Sequence, residues 1–87
     1  MKTFTEKVFA VVRRIKKGST LTYAQVATMA GNQKAARAVG AVLGTNFSSS
    51  IPCHRVVRSD GSLGGYNRGV RRKRFLLKKE GATIVER

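Results

Sequence analysis

Acid is scarce in this chain, with 4 Asp and Glu against 18 Lys and Arg in 87 residues, and the resulting net charge of +14 argues for a polyanionic partner. Nucleic acid is the first candidate. A membrane surface is the second, because Arg13, Arg14, Lys16 and Lys17 follow an apolar helical face, but the basic residues continue to the C-terminal end instead of staying with that helix. Tryptophan is absent, and cysteine, proline and histidine occur once each. A lone cysteine forms no intrachain disulfide, and one Cys with one His is too few ligands for a structural zinc site, so a reducing setting with no metal and no cofactor is expected. Long hydrophobic runs are also missing. The longest early one, Val8 to Val12, is shorter than a signal-peptide core, and nothing approaches a membrane span. The expectation is one soluble, monomeric domain over 1–87, placed inside the cell in the cytoplasm, with the nucleoid, or in the nucleus, and burying about three-fifths of its unfolded surface.

The three residues used once stand side by side as Pro52-Cys53-His54, followed by Arg55. A free thiol with a pKa near ~8.5 is only slightly ionised at neutral pH, and lowering that value by about two units raises the thiolate fraction roughly thirtyfold. His54, Arg55 and Arg58 are residue types that do this. The competing reading is a small buried thiol packed beside a turn proline.

Helical spacing of Val8, Phe9, Val11, Val12 and Ile15 predicts an amphipathic first helix ending at Gly18. Thr22 with Gln25 is a capping box for a second helix through Met29 that stops at Gly31, and Asn32 is expected to cap a third from about Gln33 to Leu43. Two short helices joined by Ala30-Gly31-Asn32 suggest a helix-turn-helix whose second helix meets DNA. A polar loop over 45–50 delivers the chain to Cys53. Val56 and Val57, followed by Ser59-Asp60-Gly61-Ser62, predict a small two-stranded wing. Gly64, Gly65 and Gly69 around Tyr66 and Asn67 would let backbone approach a flat ligand. A last helix, Val70 to Glu80, is expected to turn Leu76 and Leu77 inward and Arg71, Arg72, Lys73, Arg74, Lys78 and Lys79 to solvent, with Gly81 ending it.

Several of these residues admit two readings. Arg37 among alanines either reaches between bases from a helix pressed on a duplex, or belongs to a helix whose small residues serve close packing. Glu80, in a last helical turn where the macrodipole disfavours an anion, is either a surface ion pair or the carboxylate that orients the only histidine. Tyr23 and Tyr66 either pack or meet an unpaired base.

Taken together, Pro52-Cys53-His54-Arg55-Val56, the Ala35-Ala36-Arg37-Ala38-Val39-Gly40 helix, Asn46, Tyr66 and Leu76-Leu77-Lys78-Lys79-Glu80-Gly81 resemble the O6-alkylguanine-DNA alkyltransferase family over nearly the whole chain. The resemblance implies a mainly α, winged helix-turn-helix domain that binds double-stranded DNA through the minor groove, flips out O6-alkylguanine and moves the alkyl group irreversibly onto its own cysteine. It implies Cys53 as nucleophile, His54 as base through a water, Glu80 as the residue orienting His54, and Tyr23 as donor to the guanine ring nitrogen. Arg37 would fill the gap left by the flipped base, with Lys34, Ala36, Tyr23 and Arg55 also on the DNA. Asn46 would fix the turn beside the site, backbone carbonyls near Cys53 and Val56 would read the exocyclic amine, and Tyr66 and Asn67 would line the pocket. Larger members carry a further N-terminal domain, so this chain resembles the DNA-binding and catalytic domain alone. A second possibility is the alkyltransferase-like group, which binds alkylguanine without transferring it and hands it to other repair factors. A basic architectural or ribosomal protein is a third; that class has no need of Cys, His and a helix-end Glu at these positions.

Overall fold

Thr3 accepts from the Glu6 amide while Glu6 accepts from the Thr3 amide, a reciprocal cap that opens α1 (Phe4–Arg13) in the computed structural model, which describes residues 3–46, 48 and 50–83. The helix stops at Arg13, earlier than the expected Gly18. Bonds from Arg14 N to Val11 O and from Ile15 N to Val12 O tighten its end, and Gly18 lies in a later turn. There, at φ +89°, a Cβ would come within 3.1 Å of the Glu80 carbonyl oxygen, so a bare backbone is needed where this turn passes the end of the last helix.

The short strand β1 (Leu21–Thr22) leads directly into α2 (Tyr23–Met29), and the expected capping box is formed, with Gln25 N donating to Thr22 Oγ1 at 3.0 Å and Thr22 N to Gln25 Oε1 at 2.8 Å. α3 (Ala36–Gly44) begins later than the sequence suggested. Asn32 does cap, but it caps a separate turn, accepting from Lys34 N on its side chain and from Ala35 N on its carbonyl. Helices α1, α2 and α3 pack around Val8, Val12, Val26, Ala27, Val39 and Leu43, and Cys53 and Val56 are part of the same core.

After Asn46 the expected polar loop follows, with Phe47 and Ser49 outside the described residues. A 3-10 turn (Cys53–Arg55) then runs into β2 (Val56–Val57). The expected wing forms differently. The Asp60-Gly61 turn closes, with Arg58 N donating to Ser62 O and Asp60 Oδ1 accepting from Ser62, yet among the described residues no return strand follows it. β2 instead pairs in parallel with β1, Leu21 opposite Val56 and Thr22 opposite Val57, while Leu63 folds inward against Val57 and Leu77.

α4 (Val70–Lys79) contradicts one expectation. Lys73 is 0 % exposed, because residues 73 and 77 share the inward face at i, i+4 spacing, and its ammonium is satisfied by the carbonyls of Val56 at 2.6 Å and Gly65 at 3.1 Å. Leu76 is only half-buried, and Phe75 is 59 % exposed. The result is a mainly helical fold with a two-stranded sheet, in which the cysteine turn lies between the three-helix core and α4.

Candidate active site

Cys53 begins the 3-10 turn, set by bonds from Cys53 N to Ile51 O and from Arg55 N to Pro52 O. Its side chain belongs to the core, 6 % exposed, and Asn46 Nδ2 donates to Sγ at 2.7 Å. The same amide nitrogen also reaches the Ile51 carbonyl, and Asn46 Oδ1 accepts from Ser48 N, so the amide cannot turn over without losing bonds. Asn67 braces this arrangement from the far side by donating to the carbonyls of Asn46 and Gly44, which ties the end of α3 to the cysteine loop.

The expected depression of the thiol pKa by its sequence neighbours is not found. Burial pushes the Cys53 thiol up; the Asn46 hydrogen bond, a backbone hydrogen bond and the charges of Arg68 and Lys73 pull it back toward thiolate. The cations that favour the anion thus come from α4 and the segment before it, and not from His54, Arg55 or Arg58.

His54 and Arg55 turn the other way, onto Glu80. His54 Nε2 lies 2.9 Å from Glu80 Oε2, and Arg55 donates from Nε to Oε1 at 2.9 Å and from its terminal nitrogen to Oε2 at 2.8 Å. The Arg55 hydrogen bonds are the largest influence on the Glu80 carboxyl; burial, the next, opposes them, and the His54 hydrogen bond with the charges of both partners brings its pKa down to about 2. An ionised carboxylate only accepts, so His54 donates to it from Nε2, and in the neutral imidazole that leaves the lone pair on Nδ1. Among the described residues no direct hydrogen bond joins His54 to Sγ. Tyr66 meets the imidazole edge-on, centroids 6.5 Å apart, which fixes the ring plane. Glu80 is thus no surface ion pair: its side chain, 9 % exposed, lies inward at the end of α4 and contacts both Arg55 and His54.

Arg55 was expected on the DNA. It lies inward instead, clamped on Glu80 and donating to the Ile15 carbonyl at 2.8 Å, so its fork is spent on holding the turn after α1, the cysteine turn and the end of α4 together.

A cavity of about 310 Å³ opens beside the thiol, walled by Tyr23, Gly40, Leu43, Cys53, Tyr66 and Asn67. Tyr23, Tyr66 and Asn67 are thus where a pocket was expected. Asn46 stands behind Cys53 and borders a second, smaller cavity with His54 and Arg68. Val56 differs: its side chain is fully buried in the core, and its carbonyl accepts from Lys73. Tyr23 donates to the Gly65 carbonyl at 3.3 Å, and burial raises its pKa, keeping the phenol a proton donor at neutral pH.

Gly64 explains part of the glycine-rich segment. At φ +71° it presses on Tyr23, and a Cβ there would sit 3.2 Å from the ring and 3.3 Å from its hydroxyl. Gly64→Ala should therefore displace Tyr23 and destabilise the fold by about 1–2 kcal/mol. Thermal unfolding read beside chemistry at Cys53 checks this, with the chemistry expected to fall further than stability explains.

On the helix-turn-helix, Lys34, Arg37 and Ala38 are exposed and Ala36 is half-buried, while Val39 and Leu43 face inward. The small residues thus serve both faces: Ala35 packs on the core, and Ala38 and Ala41 leave a shallow outer surface from which Arg37 extends. Sequence reasoning missed the buried Lys73, the proximity of Arg68 to the thiol and the Asn46 bond to sulfur. Only Lys73 left a signal, four residues before the buried Leu77.

A family model described as "6-O-methylguanine DNA methyltransferase, DNA binding domain" matches residues 3–82. A methylated-DNA-protein-cysteine methyltransferase of Methanothermobacter thermautotrophicus is 47% identical over 81 residues, covering 93% of this chain and 46% of that protein. The chain thus spans about half the length of such curated relatives. Among solved structures, Mycobacterium tuberculosis OGT in complex with DNA superposes with a TM-score of 0.86 at 40% identity, covering 92% of this chain and 49% of that one. S. pombe Atl1, in complex with damaged DNA containing O6-carboxymethylguanine, gives a TM-score of 0.86 at 28% identity and covers 100% of this chain and 85% of that one. With the matched model running from the cap of α1 to just past Glu80, the chain belongs to the 6-O-methylguanine DNA methyltransferase family through its DNA-binding domain.

Proposed function

We propose that this domain repairs O6-alkylguanine in double-stranded DNA by moving the alkyl group onto Cys53 Sγ, once per chain. The observation that carries the reading is the joint placement of a buried thiol, an amide donor on its sulfur and a His54–Glu80 pair beside a cavity walled by Tyr23. The base enters that cavity from the duplex held against α3. Thiol deprotonation proceeds through a water to His54 Nδ1. The S–C bond forms as the C–O bond breaks, and the electron pair leaves on the guanine, which takes a proton from the Tyr23 hydroxyl. The product is an S-alkylcysteine thioether, whose thiolate is a poor leaving group at a saturated carbon, so the alkyl group stays and turnover ends at one.

Affinity rests on phosphate contacts, and binding should weaken steeply with salt, by about 0.9 log units per log unit of salt for each phosphate neutralised. Arg37 supports the extruded state from the exposed face of α3. Arg37→Ala should slow reaction with alkylated duplex roughly tenfold while changing reaction with free O6-benzylguanine less than about twofold, since a free base has nothing to extrude. Equal losses on both substrates would assign Arg37 to the fold or the pocket.

The second reading, an alkyltransferase-like protein that binds O6-alkylguanine and recruits other repair factors, is favoured by the structural likeness to Atl1. The thiol at position 53 favours transfer. A duplex carrying O6-methylguanine labelled in its methyl group separates the two. Movement of one equivalent of label to protein supports transfer, and label retained in tightly bound DNA supports the second reading.

A further inference from the structure

Cys53 borders a second cavity besides the one that receives the base, and the proposed transfer leaves it without a role. The base cavity is walled by Tyr23, Gly40, Leu43, Tyr66 and Asn67, and none of these carries charge at neutral pH. The second, of about 150 Å³, shares Cys53 and Tyr66 with the first but is lined as well by Arg68 and Arg72, both exposed. Among the described residues no Asp or Glu lines it. Glu80, the acid that holds His54, stands outside that lining and is already matched by Arg55.

The start of α4 adds to this charge. Arg72 sits in the first helical turn, where the macrodipole is positive and a cation is disfavoured, yet that turn has no acid and Gly69 offers it no side-chain cap. Arg72 makes no hydrogen bond or ion pair among the described residues. The charge of Arg68, one residue before the cap, is felt at the thiol. Two guanidinium groups and a helix end of the same sign therefore converge beside Sγ with no anion among them. In-line displacement leaves the transferred carbon on sulfur and sends whatever else that carbon bears sideways from the S–C–O axis. A neutral tail can remain in the base cavity. A carboxylate there would lose its hydration with no opposite charge to replace it, and the second cavity supplies that charge.

We propose that the second cavity is an anion subsite for the transferred group, in which Arg68 and Arg72 receive the carboxylate of an O6-carboxyalkyl substituent and favour it over a neutral substituent of the same size. This rests on the transfer reading given above and names a class of alkyl group for it. The bonds change as before: S–C forms, C–O breaks, and the electron pair leaves on the guanine, which takes the Tyr23 proton. The carboxylate stays ionised throughout and ends on the S-carboxyalkyl cysteine.

Iodoacetate and iodoacetamide read the subsite with no alkylguanine present, since each places a group of nearly equal size on the thiolate as iodide leaves, and only the first carries a charged tail. The ratio of their second-order rates cancels the thiolate fraction, which Arg68 also influences. Arg68→Gln and Arg72→Gln should each lower the iodoacetate-to-iodoacetamide ratio about fivefold, whereas Lys7→Gln, which removes the same charge from α1, should change it by less than about 1.5-fold. Arg68→Lys should keep most of the ratio, and thermal unfolding should be unchanged because both arginines are exposed. A wild-type ratio in both Gln variants, or an equal fall in Lys7→Gln, would overturn the proposal. In duplex DNA, wild type should prefer O6-carboxymethylguanine to O6-carbamoylmethylguanine about fivefold more than Arg68→Gln does, and equal preferences would overturn the substrate class. Failure to take any alkyl group from DNA would instead count against the transfer reading, and the reagent ratio would still decide the subsite.

Discussion

Cys53→Ser should leave no measurable transfer from O6-methylguanine, a loss of at least about 10³-fold, while DNA affinity stays within about twofold of wild type. Serine suits this test because its hydroxyl can still accept from Asn46 Nδ2, so the loop built on that amide keeps its bonds. What changes is the nucleophile. A hydroxyl is almost wholly protonated at neutral pH, whereas the thiol of Cys53, though pushed up by burial, has an amide donor and two cations favouring its anion. Single-turnover assays on a labelled duplex would measure the first effect and equilibrium binding the second. Residual transfer at a tenth of the wild-type rate would place the acceptor elsewhere.

The next largest effect is expected from Glu80→Gln. The carboxylate accepts from Arg55 on both oxygens and from His54 Nε2 on one of them. An amide has one acceptor oxygen, so in the variant its NH2 must oppose either a guanidinium N–H or the imidazole N–H. The imidazole yields more readily by carrying its proton on Nδ1, and the base nitrogen is then lost. Transfer should fall about 10²-fold near neutral pH, the low end for loss of a general base, and recover partly toward pH 9 as solvent takes over thiol ionisation. Leaving Arg55 underpaired inside the fold should cost roughly 3 kcal/mol, seen by denaturant unfolding. The pH dependence follows from the Glu80 pKa, lowered on folding from 4.5 to about 2. Its stabilisation is present above the unfolded value and is lost as pH falls through the folded one, so the gap between wild type and variant should close between about pH 4.5 and 2. An unchanged transfer rate with lowered stability would leave Glu80 as a helix-end ion pair alone.

What could be read from the sequence was local or chemically rare. Thr22 and Gln25 announce the α2 cap because both partners lie within one turn, and Cys53, His54 and Glu80 stand out as a unique thiol, a unique imidazole and an acid misplaced at a helix end. The pairing of Leu21 with Val56 was hidden, since two-residue strands far apart in the chain leave no periodicity, and the Asp60-Gly61 turn pointed to a hairpin partner instead. Arg55 and Lys73 misled for one reason. Charge in a chain of +14 reads as surface, and only the fold reveals that a carboxylate and a cluster of carbonyls wait inside for these two. The Asn46 bond to sulfur depends on a loop geometry that no local pattern encodes.

The central claim is that the alkyl group of damaged guanine ends on one named sulfur. Intact-mass measurement after incubation with a duplex containing O6-methylguanine, followed by peptide mapping, tests it most directly. The account predicts a single added methyl per chain, carried by Cys53 and not increasing with excess substrate. An unmodified chain that still binds the duplex, or a methyl group on any other residue, would contradict it.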